Sequence, residues 1–397
     1  MIRINHYVGG VLLVAGTAIG AGMLALPVST AIMGFWPSII LFVICWLCML
    51  ATAFFILDVN LTIKGEPNLV SMTGQTLGVW GKAVCWIFYL LLFYSLIAAY
   101  IAGSSELFVN AIHVLTGWTL PDWIGPFMLP LVFGVFIYMG TEQVDVVNRV
   151  LMLALFISYI LLAGFIPTHV SGELLERVNW KPFAFGLPIV ITSFGYHIII
   201  PTLSTYMNHD RKRLKKVLII GSCLPLIVYV FWQFLVLGVV PVDGRYGLLA
   251  ALNAGQPSTT PLSHYIPSVW LSRSAQYFSF FAIITSFLGV SISMGDFLRD
   301  GFKLKDSWKG RLLALILTFT PPVFFAVTYK RGFIVALEYA GICVAVLLWL
   351  LPALMALKLK APKFYTTCKA KILMAIIIIG ALFIIGIDVY KQLYISA

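Results

Sequence analysis

The sequence predicts an all-α integral membrane protein. Of its 397 residues, 61% are hydrophobic and only 10% are charged, and the mean hydropathy is +1.00. A soluble chain of this length would need far more charge on its surface. Several apolar runs exceed the roughly 18 residues that cross a bilayer. None of them alternates in the manner of a membrane β-strand, which favours helices.

Eleven apolar segments are expected to form transmembrane helices. The longest polar connection between them, 242–269, is too short to hold a water-soluble domain. The segments lie at about 7–34, 36–60, 83–112, 124–140, 150–167, 183–207, 217–241, 270–297, 311–329, 333–357 and 371–390.

The net charge of +11 predicts an orientation in the membrane and does not indicate nucleic-acid binding. If the N-terminus is cytoplasmic, 19 of the 26 basic residues fall in inner segments and 7 in outer ones. This asymmetry follows the positive-inside rule. With an odd number of spans, it places the C-terminus in the periplasm. The run "HDRKRLKK" at 209–216 is the densest cluster, and we expect it to contact anionic headgroups.

The middle of the first span, "AGTAIGAGMLALPVS" at 15–29, is poor in helix-forming residues, since it contains Gly16, Gly20, Gly22 and Pro27. Unpaired backbone groups in hydrocarbon cost several kcal/mol each, so an interrupted helix there must line a cavity. A second interpretation stays open, because glycines spaced by four also allow close packing of helices.

A second interrupted segment, "GLPIVITSFGYHIIIPTLS" at 186–204, contains Pro188, Gly195 and Pro201. Gly195 follows Gly20 by 175 residues, which divides the chain into two five-span units. Because five is odd, the second unit enters the membrane from the opposite side. Interrupted segments at matching places in inverted halves indicate the binding site of a transporter. The predicted units are 1–167 and 168–358, with an additional helix in 359–397.

Two interrupted helices can bind a small zwitterion. Helix N-termini attract a carboxylate, and exposed carbonyls at helix C-termini attract an ammonium group or a cation. The six histidines are scattered along the chain, so no catalytic cluster, metal site or cofactor is expected. A channel is also disfavoured, because one chain with two inverted halves offers no symmetric filter.

Three segments, "GTAIGAGMLALP", "FGYHIIIPTLSTY" and "TSFLGVSISMGDFLRDGFK", resemble signature segments of the hydroxy and aromatic amino acid permeases, which include bacterial tyrosine- and tryptophan-specific transporters. The resemblance covers about residues 7–390. It implies a leucine-transporter-like 5+5 inverted repeat with broken helices 1 and 6. It also implies proton symport of an amino acid by alternating access across the inner membrane. Two departures affect the pocket: Tyr196 stands where the family often has phenylalanine, and Ile198 follows His197 where the family has a small residue.

The resemblance also implies which residues bind the substrate. The first break would contact its main-chain groups, and the aromatic rings of the second would stack on an aromatic ligand. The third and eighth spans would complete the site. The implied residues are Gly16, Thr17, Ala18, Ile19, Gly20, Ala21 and Gly22 in the first break, Ser193, Phe194, Gly195, Tyr196 and His197 in the second, and Tyr94, Tyr100 and Ser286 in the other two spans.

The coupling ion and the exact substrate stay open at this stage. A proton is favoured by the resemblance, but Thr285 and Ser286, with the carbonyls of Ala18 and Ala21, could bind sodium. His197 could relay a proton, donate to a tyrosine substrate or satisfy a carbonyl freed by the break. The candidate coupling residues are His197, Glu106, Thr285 and Ser286. Tyrosine, tryptophan and a broader range of neutral amino acids all remain candidate substrates.

Overall fold

The computed structural model describes residues 6–63, 65, 67–266, 268–305, 307–329, 331–359 and 363–394, and every regular element in those ranges is helical. Four of the basic residues counted above lie outside the described residues: Arg3, Lys64, Lys330 and Lys360.

Within the described ranges the α-helices vary from four to 48 residues in length. In chain order they are α1 (His6–Ala18), α2 (Gly22–Thr30), α3 (Phe35–Thr62), α4 (Leu69–Thr116), α5 (Gly125–Met139), α6 (Thr141–Phe165), α7 (Gly172–Leu175), α8 (Leu187–Ser193), α9 (Ile200–Tyr206), α10 (Arg211–Val239), α11 (Leu248–Ala254), α12 (Thr259–Tyr265), α13 (Val269–Gly301), α14 (Trp308–Thr328), α15 (Gly332–Val344), α16 (Leu351–Leu357) and α17 (Cys368–Tyr394).

Ten helical segments of the described chain are long and apolar enough to cross a membrane. The pair α1 and α2, bent by 52°, gives up to eleven spans when it is counted as one. Helices α8 and α9 share a single span, and α15 continues into α16 through a π-helical turn at Ala345–Leu350. The chain is therefore a multi-pass membrane protein, and both segments predicted to be interrupted are interrupted.

Two helices begin well before the apolar runs that predicted them. Helix α4 starts at Leu69 because the side chain of Asn68 caps it, accepting a hydrogen bond from the Ser71 amide at 2.8 Å. It then bends at Gly78, whose φ of +80° lies in the region that favours glycine. Helix α6 starts at Thr141, directly after Gly140 with a φ of +113°. Its first turns are polar, so hydropathy alone did not find them.

The connections between spans meet at two faces of the bundle. We call one of them the basic face, and it carries the described parts of four connections, 63–68, 207–210, 302–307 and 358–367. Opposite to it, the connection 240–268 contains α11 and α12, which pack on α2 and α13. The Ser258 amide of this connection donates to the Leu24 carbonyl at 2.9 Å. This face therefore has a folded cover where the sequence predicted only a polar loop.

Helix packing within the bundle is close around the interrupted helices. Helix α1 packs on α10, α2 on α8, α8 on both α3 and α15, and α4 on α15 and α13. A Cβ at Gly341 of α15 would lie 2.5 Å from the Cβ of Pro188, so only glycine permits this approach to α8. Helix α17 lies at the edge of the bundle against α16 and the π-helical turn.

Candidate functional site

The first break is closed on one side by the eighth span. Helix α1 ends at Ala18 and α2 begins at Gly22. The amide of Ala21 donates to the hydroxyl oxygen of Ser286 on α13 at 3.0 Å, which satisfies a free N–H at the start of α2. A Cβ at Gly20 would lie 2.6 Å from the same oxygen. The glycine therefore lets Ser286 reach the broken backbone.

The second break meets the first one directly. Helix α8 ends at Ser193, a 3-10 turn follows at His197–Ile199, and α9 begins at Ile200. Pro201, in the first turn of α9, has no N–H to donate to the preceding turn, which favours a new helix start. A Cβ at Gly22 would lie 3.0 Å from the Ser193 hydroxyl. The end of α8 thus contacts the start of α2.

A tyrosine that the sequence analysis missed joins the two breaks. The hydroxyl oxygen of Tyr229 on α10 lies 2.6 Å from the Ala18 carbonyl oxygen and 2.8 Å from that of Ser193. The Tyr229 side chain is fully buried, and the ring of Phe194 packs edge-on against it at 5.2 Å. A hydroxyl has one hydrogen to donate, so it satisfies one of these two carbonyls at a time. The other carbonyl is left to accept a hydrogen bond from a further donor.

The hydroxyls of Ser286 and Thr285 have different hydrogen-bond partners, and only Ser286 contacts the first break. Ser286 also lies beside the hydroxyl of Tyr100, a buried residue of α4. The hydroxyl of Thr285 donates to the Phe281 carbonyl of its own helix at 2.8 Å. In this structure the hydroxyl of Ser286 and the carbonyl of Ala18, two proposed sodium ligands, are therefore both hydrogen-bonded to protein groups.

Three residues implied by the resemblance do not point at the junction of the breaks. Gly16 and Thr17 are exposed, and the Thr17 hydroxyl donates to the Leu13 carbonyl at 2.7 Å. The hydroxyl of Tyr94 donates to the Leu317 carbonyl of α14 at 3.0 Å, so it faces α14.

His197 is buried and directed toward α3. Its Nε2 lies 3.0 Å from the Met49 carbonyl oxygen and 2.9 Å from the Thr52 hydroxyl, and its ring stacks on Tyr196 at 4.9 Å. The carbonyls freed by the breaks are met by Tyr229 instead, which differs from one interpretation left open by the sequence. When Nε2 donates to Met49, Nδ1 is the basic nitrogen, and it is buried with no hydrogen-bond partner among the described residues.

Glu106 lies six residues beyond Tyr100 on α4, where it contacts the connection that covers α2. Its carboxylate is exposed and accepts hydrogen bonds from the side-chain amide of Gln256 at 3.0 and 3.1 Å. The contact joins the end of α4 to the connection that covers α2. Among the described residues, no group of three His, Cys, Asp or Glu side chains is placed to hold a metal ion.

A cavity of about 250 Å³ extends from the second break toward the basic face. It runs between α3, α4, α9 and α13, from His197 to Asn68, and the rings of Tyr89, Phe93 and Phe297 form part of its wall. On the opposite side of the breaks, the residues of α2 from Met23 to Val28 are buried. The breaks are therefore covered on the side of α2, and a cavity reaches the second break at His197 from the other side.

Comparison with known proteins identifies the group to which this architecture belongs. Residues 3–388 match the model of the tryptophan/tyrosine permease family. A tryptophan-specific transport protein of Pseudomonas aeruginosa is 31% identical over 364 residues, which cover 88% of this chain and 85% of that protein. The tyrosine-specific transport system 1 of Haemophilus influenzae is 32% identical over 345 residues, which cover 85% and 84%. A low affinity tryptophan permease of Escherichia coli is 25% identical over 390 residues.

The family match covers almost the whole chain, and the relatives compared are transport proteins or permeases. The protein is accordingly a transport protein and not an enzyme. The resemblance of three short segments to the aromatic amino acid permeases is confirmed. This chain belongs to the tryptophan/tyrosine permease family.

Proposed function

We propose that this protein is a secondary active transporter that imports tryptophan or tyrosine by proton symport. The observation that supports this most strongly is the junction of two interrupted helices, where Tyr229 contacts the ends of α1 and α8. The relatives compared above include both tryptophan-specific and tyrosine-specific transport proteins. The alternative is a sodium-coupled symporter or one with broader specificity for neutral amino acids.

The packing of helices supports a 5+5 inverted repeat with one additional helix. Exchange of the two proposed units pairs α3 with α10, α4 with α13, and α6 with α15. The contact between α4 and α15 then corresponds to that between α13 and α6, and both exist. Likewise, the contact of α1 with α10 corresponds to that of α8 with α3. We retain 1–167 and 168–358 as the units and 359–397 as the additional segment.

The two breaks are suited to the charged ends of an amino acid. Its ammonium group carries three hydrogens and can donate to the carbonyls of Ala18 and Ser193 together, which one hydroxyl cannot. Its carboxylate is attracted to the N-terminal end of α2, where Ser286 holds the Ala21 amide. Phe194 and Tyr100, both buried beside the breaks, supply aromatic surface for the side chain of the substrate.

Alternating access requires that the site open to one side at a time. The cavity beside His197 opens a route toward the basic face, while α11 and α12 cover the other side. The positive-inside rule makes the basic face cytoplasmic. We therefore interpret the structure as the state from which substrate is released into the cytoplasm of a bacterial cell, across the inner membrane. The C-terminus is then periplasmic.

The coupling proton is assigned to His197 among the four candidate residues. Its ring lines the cavity, and its Nδ1 is a buried acceptor without a partner, which calls for a functional explanation. Glu106 at the covered face is the second choice. A sodium ion would have to replace the hydrogen bonds that now occupy Ala18 and Ser286.

Uptake by the purified protein in proteoliposomes tests this proposal. We expect an acidic exterior to drive accumulation of radiolabelled tryptophan or tyrosine, and a protonophore to abolish it. Unlabelled tyrosine, tryptophan, phenylalanine and leucine, added in competition, would then identify the substrate. Accumulation that follows a sodium gradient and ignores pH would overturn the proton assignment. Failure of every aromatic amino acid to compete would overturn the substrate class.

A further inference from the structure

A second cavity lies at the basic face, away from the junction of the breaks. Its volume is about 400 Å³, and it is formed by the end of α3, the start of α10, the turn before α17 and α17 itself. Its polar residues are Asp58, Arg211, Lys215 and Tyr365. None of them takes part in the transport mechanism proposed above.

The single carboxylate of this cavity is fully engaged. Asp58 is buried and accepts two hydrogen bonds from Arg211, at 2.7 Å from Nε and 2.9 Å from one Nη. The hydroxyl of Tyr365 donates to the same carboxylate at 2.6 Å. Burial and the adjacent carboxylate raise the pKa of the Tyr365 phenol far above its usual value, so it remains a neutral donor.

The two cations keep hydrogen-bonding capacity in excess of this carboxylate. Lys215 Nζ lies 3.7 Å from Asp58, too far for a hydrogen bond, and 5.2 Å from the centroid of the Phe54 ring. Arg211 has five N–H groups, of which Asp58 accepts two. The side chain of Arg211 is 43% exposed and that of Lys215 is 35% exposed. One carboxylate thus faces two cations, and the cavity has an excess of positive charge.

The charged neighbours on α10 add to this excess. Lys212, Arg213 and Lys216 are exposed on the same helix, and the carboxylate of Asp210 is engaged by the amides of Lys212 and Arg213 and by the Arg213 side chain. The cavity wall is otherwise apolar, with Phe54, Phe55 and Leu373. An anion with an apolar extension would match both parts.

We propose that this cavity binds the phosphate group of an anionic phospholipid. A phosphodiester accepts the paired hydrogen bonds that a guanidinium offers and takes the point charge of a lysine. Basic pockets between transmembrane helices on the cytoplasmic side suit such headgroups. The acyl chains would follow α17, where Ile372 and Ile376 beside Leu373 are exposed apolar residues.

A lipid in this position would bridge three spans that are not consecutive in the chain. It would contact α3, α10 and α17, and α10 is the helix that carries Tyr229. The site is independent of the substrate and coupling ion proposed above, so either proposal can fail alone.

The test is a titration of the full-length protein in neutral detergent, with thermal melting as the readout. The probes are short-chain phosphatidylglycerol, short-chain phosphatidylcholine and inorganic phosphate at matched ionic strength. We expect phosphatidylglycerol alone to raise the Tm saturably. In Lys215→Gln its apparent affinity should fall at least about tenfold, as the loss of one charge-assisted contact implies. Lys212→Gln removes the same charge from the exposed side of the same helix and should bind as the wild type does.

Two controls decide between sources of the effect. Lys215→Arg should restore binding, and all three variants should melt near the wild-type Tm without lipid, because Lys212 and Lys215 are both partly or fully exposed. Equal losses in the Lys215→Gln and Lys212→Gln variants would mean diffuse surface attraction and overturn the site. A shift with inorganic phosphate as large as that with phosphatidylglycerol would mean a site for free phosphate and overturn the lipid assignment. No saturable shift with any probe would also overturn it.

Discussion

The hydroxyl oxygen of Tyr229 lies 2.6 Å from the carbonyl oxygen of Ala18, where the first transmembrane helix is interrupted. The same hydroxyl lies 2.8 Å from the carbonyl of Ser193, where α8 ends. Both carbonyls belong to helix ends with partial negative charge. Helix α10 therefore supplies the contact that holds the end of α1 next to the end of α8.

Removal of this hydroxyl should weaken both folding and transport. Tyr229→Phe keeps the ring against Phe194 but leaves a buried carbonyl unpaired, which costs about 1–3 kcal/mol. We expect a lower Tm in detergent. We also expect a higher KM for uptake, because the ends of α1 and α8 lose the contact that positions them for the substrate. Tyr159→Phe is the matched control, because the Tyr159 hydroxyl lies 3.4 Å from the carbonyl of Val228 and should contribute little. If both variants transport alike, the contacts of the Tyr229 hydroxyl with Ala18 and Ser193 do not contribute to transport.

The contact between Gly20 and Ser286 should be sensitive to a single methyl group. A Cβ at position 20 would lie 2.6 Å from Ser286 Oγ, so Gly20→Ala should displace the hydroxyl that caps the Ala21 amide and reduce transport strongly. Adding Ser286→Ala removes the clashing oxygen, and the double variant should recover part of the loss. Gly289→Ala is the control, because Gly289 lies on α13 near Ser286 and a Cβ there meets open space. A fully active Gly20→Ala protein would contradict the close approach.

The approach of α8 to α15 should be intolerant of side chains. In Gly341→Ala the new methyl group would lie 2.5 Å from the Pro188 Cβ, and overpacking of this kind costs about 1–3 kcal/mol. Thermal melting should show the loss. In Gly386→Ala on α17 the new methyl group meets open space, and the Tm should not change. Equal melting of the two variants would mean that α8 and α15 can separate freely.

Replacement of His197 separates coupling from binding. The amide of His197→Gln can still donate to the Met49 carbonyl, but it has no basic ring nitrogen that could carry the coupled proton. We expect the variant to exchange internal for external substrate while losing accumulation driven by a pH gradient. Undiminished accumulation would remove His197 as the carrier, and Glu106→Gln would be the next variant to examine.

The positions of both breaks could be predicted from glycine and proline in otherwise apolar segments. Gly20 and Gly195 marked them because lipid cannot satisfy broken backbone. Tyr229 could not be found in this way, since "YVFWQF" at 229–234 reads as ordinary membrane helix. The available signal was physical: a tyrosine hydroxyl at bilayer depth needs a partner. Its two partners are about 36 and 211 residues away in sequence, so only the fold reveals them.

Whether the other implied residues face the site depends on the direction of their side chains, and sequence spacing does not determine that direction. Tyr94 and Tyr100 lie on one helix, six residues apart, yet Tyr94 bonds to α14 and Tyr100 lies beside Ser286. Successive residues of a helix are rotated by about 100°, so these two point to different neighbours. The direction of His197 toward α3 was equally hidden.

Competition with tryptophan analogues for binding of the radiolabelled substrate measures whether the breaks recognise a zwitterion. Tryptamine lacks the carboxylate and indole-3-propionate lacks the ammonium group, but both keep the aromatic ring. The structure predicts that each loses most of the affinity of tryptophan, because tryptamine offers no carboxylate to the α2 N-terminus and indole-3-propionate offers no ammonium group to the Ala18 and Ser193 carbonyls. Displacement by either analogue as effective as by tryptophan itself would contradict the assignment of the two breaks to the charged groups of the substrate.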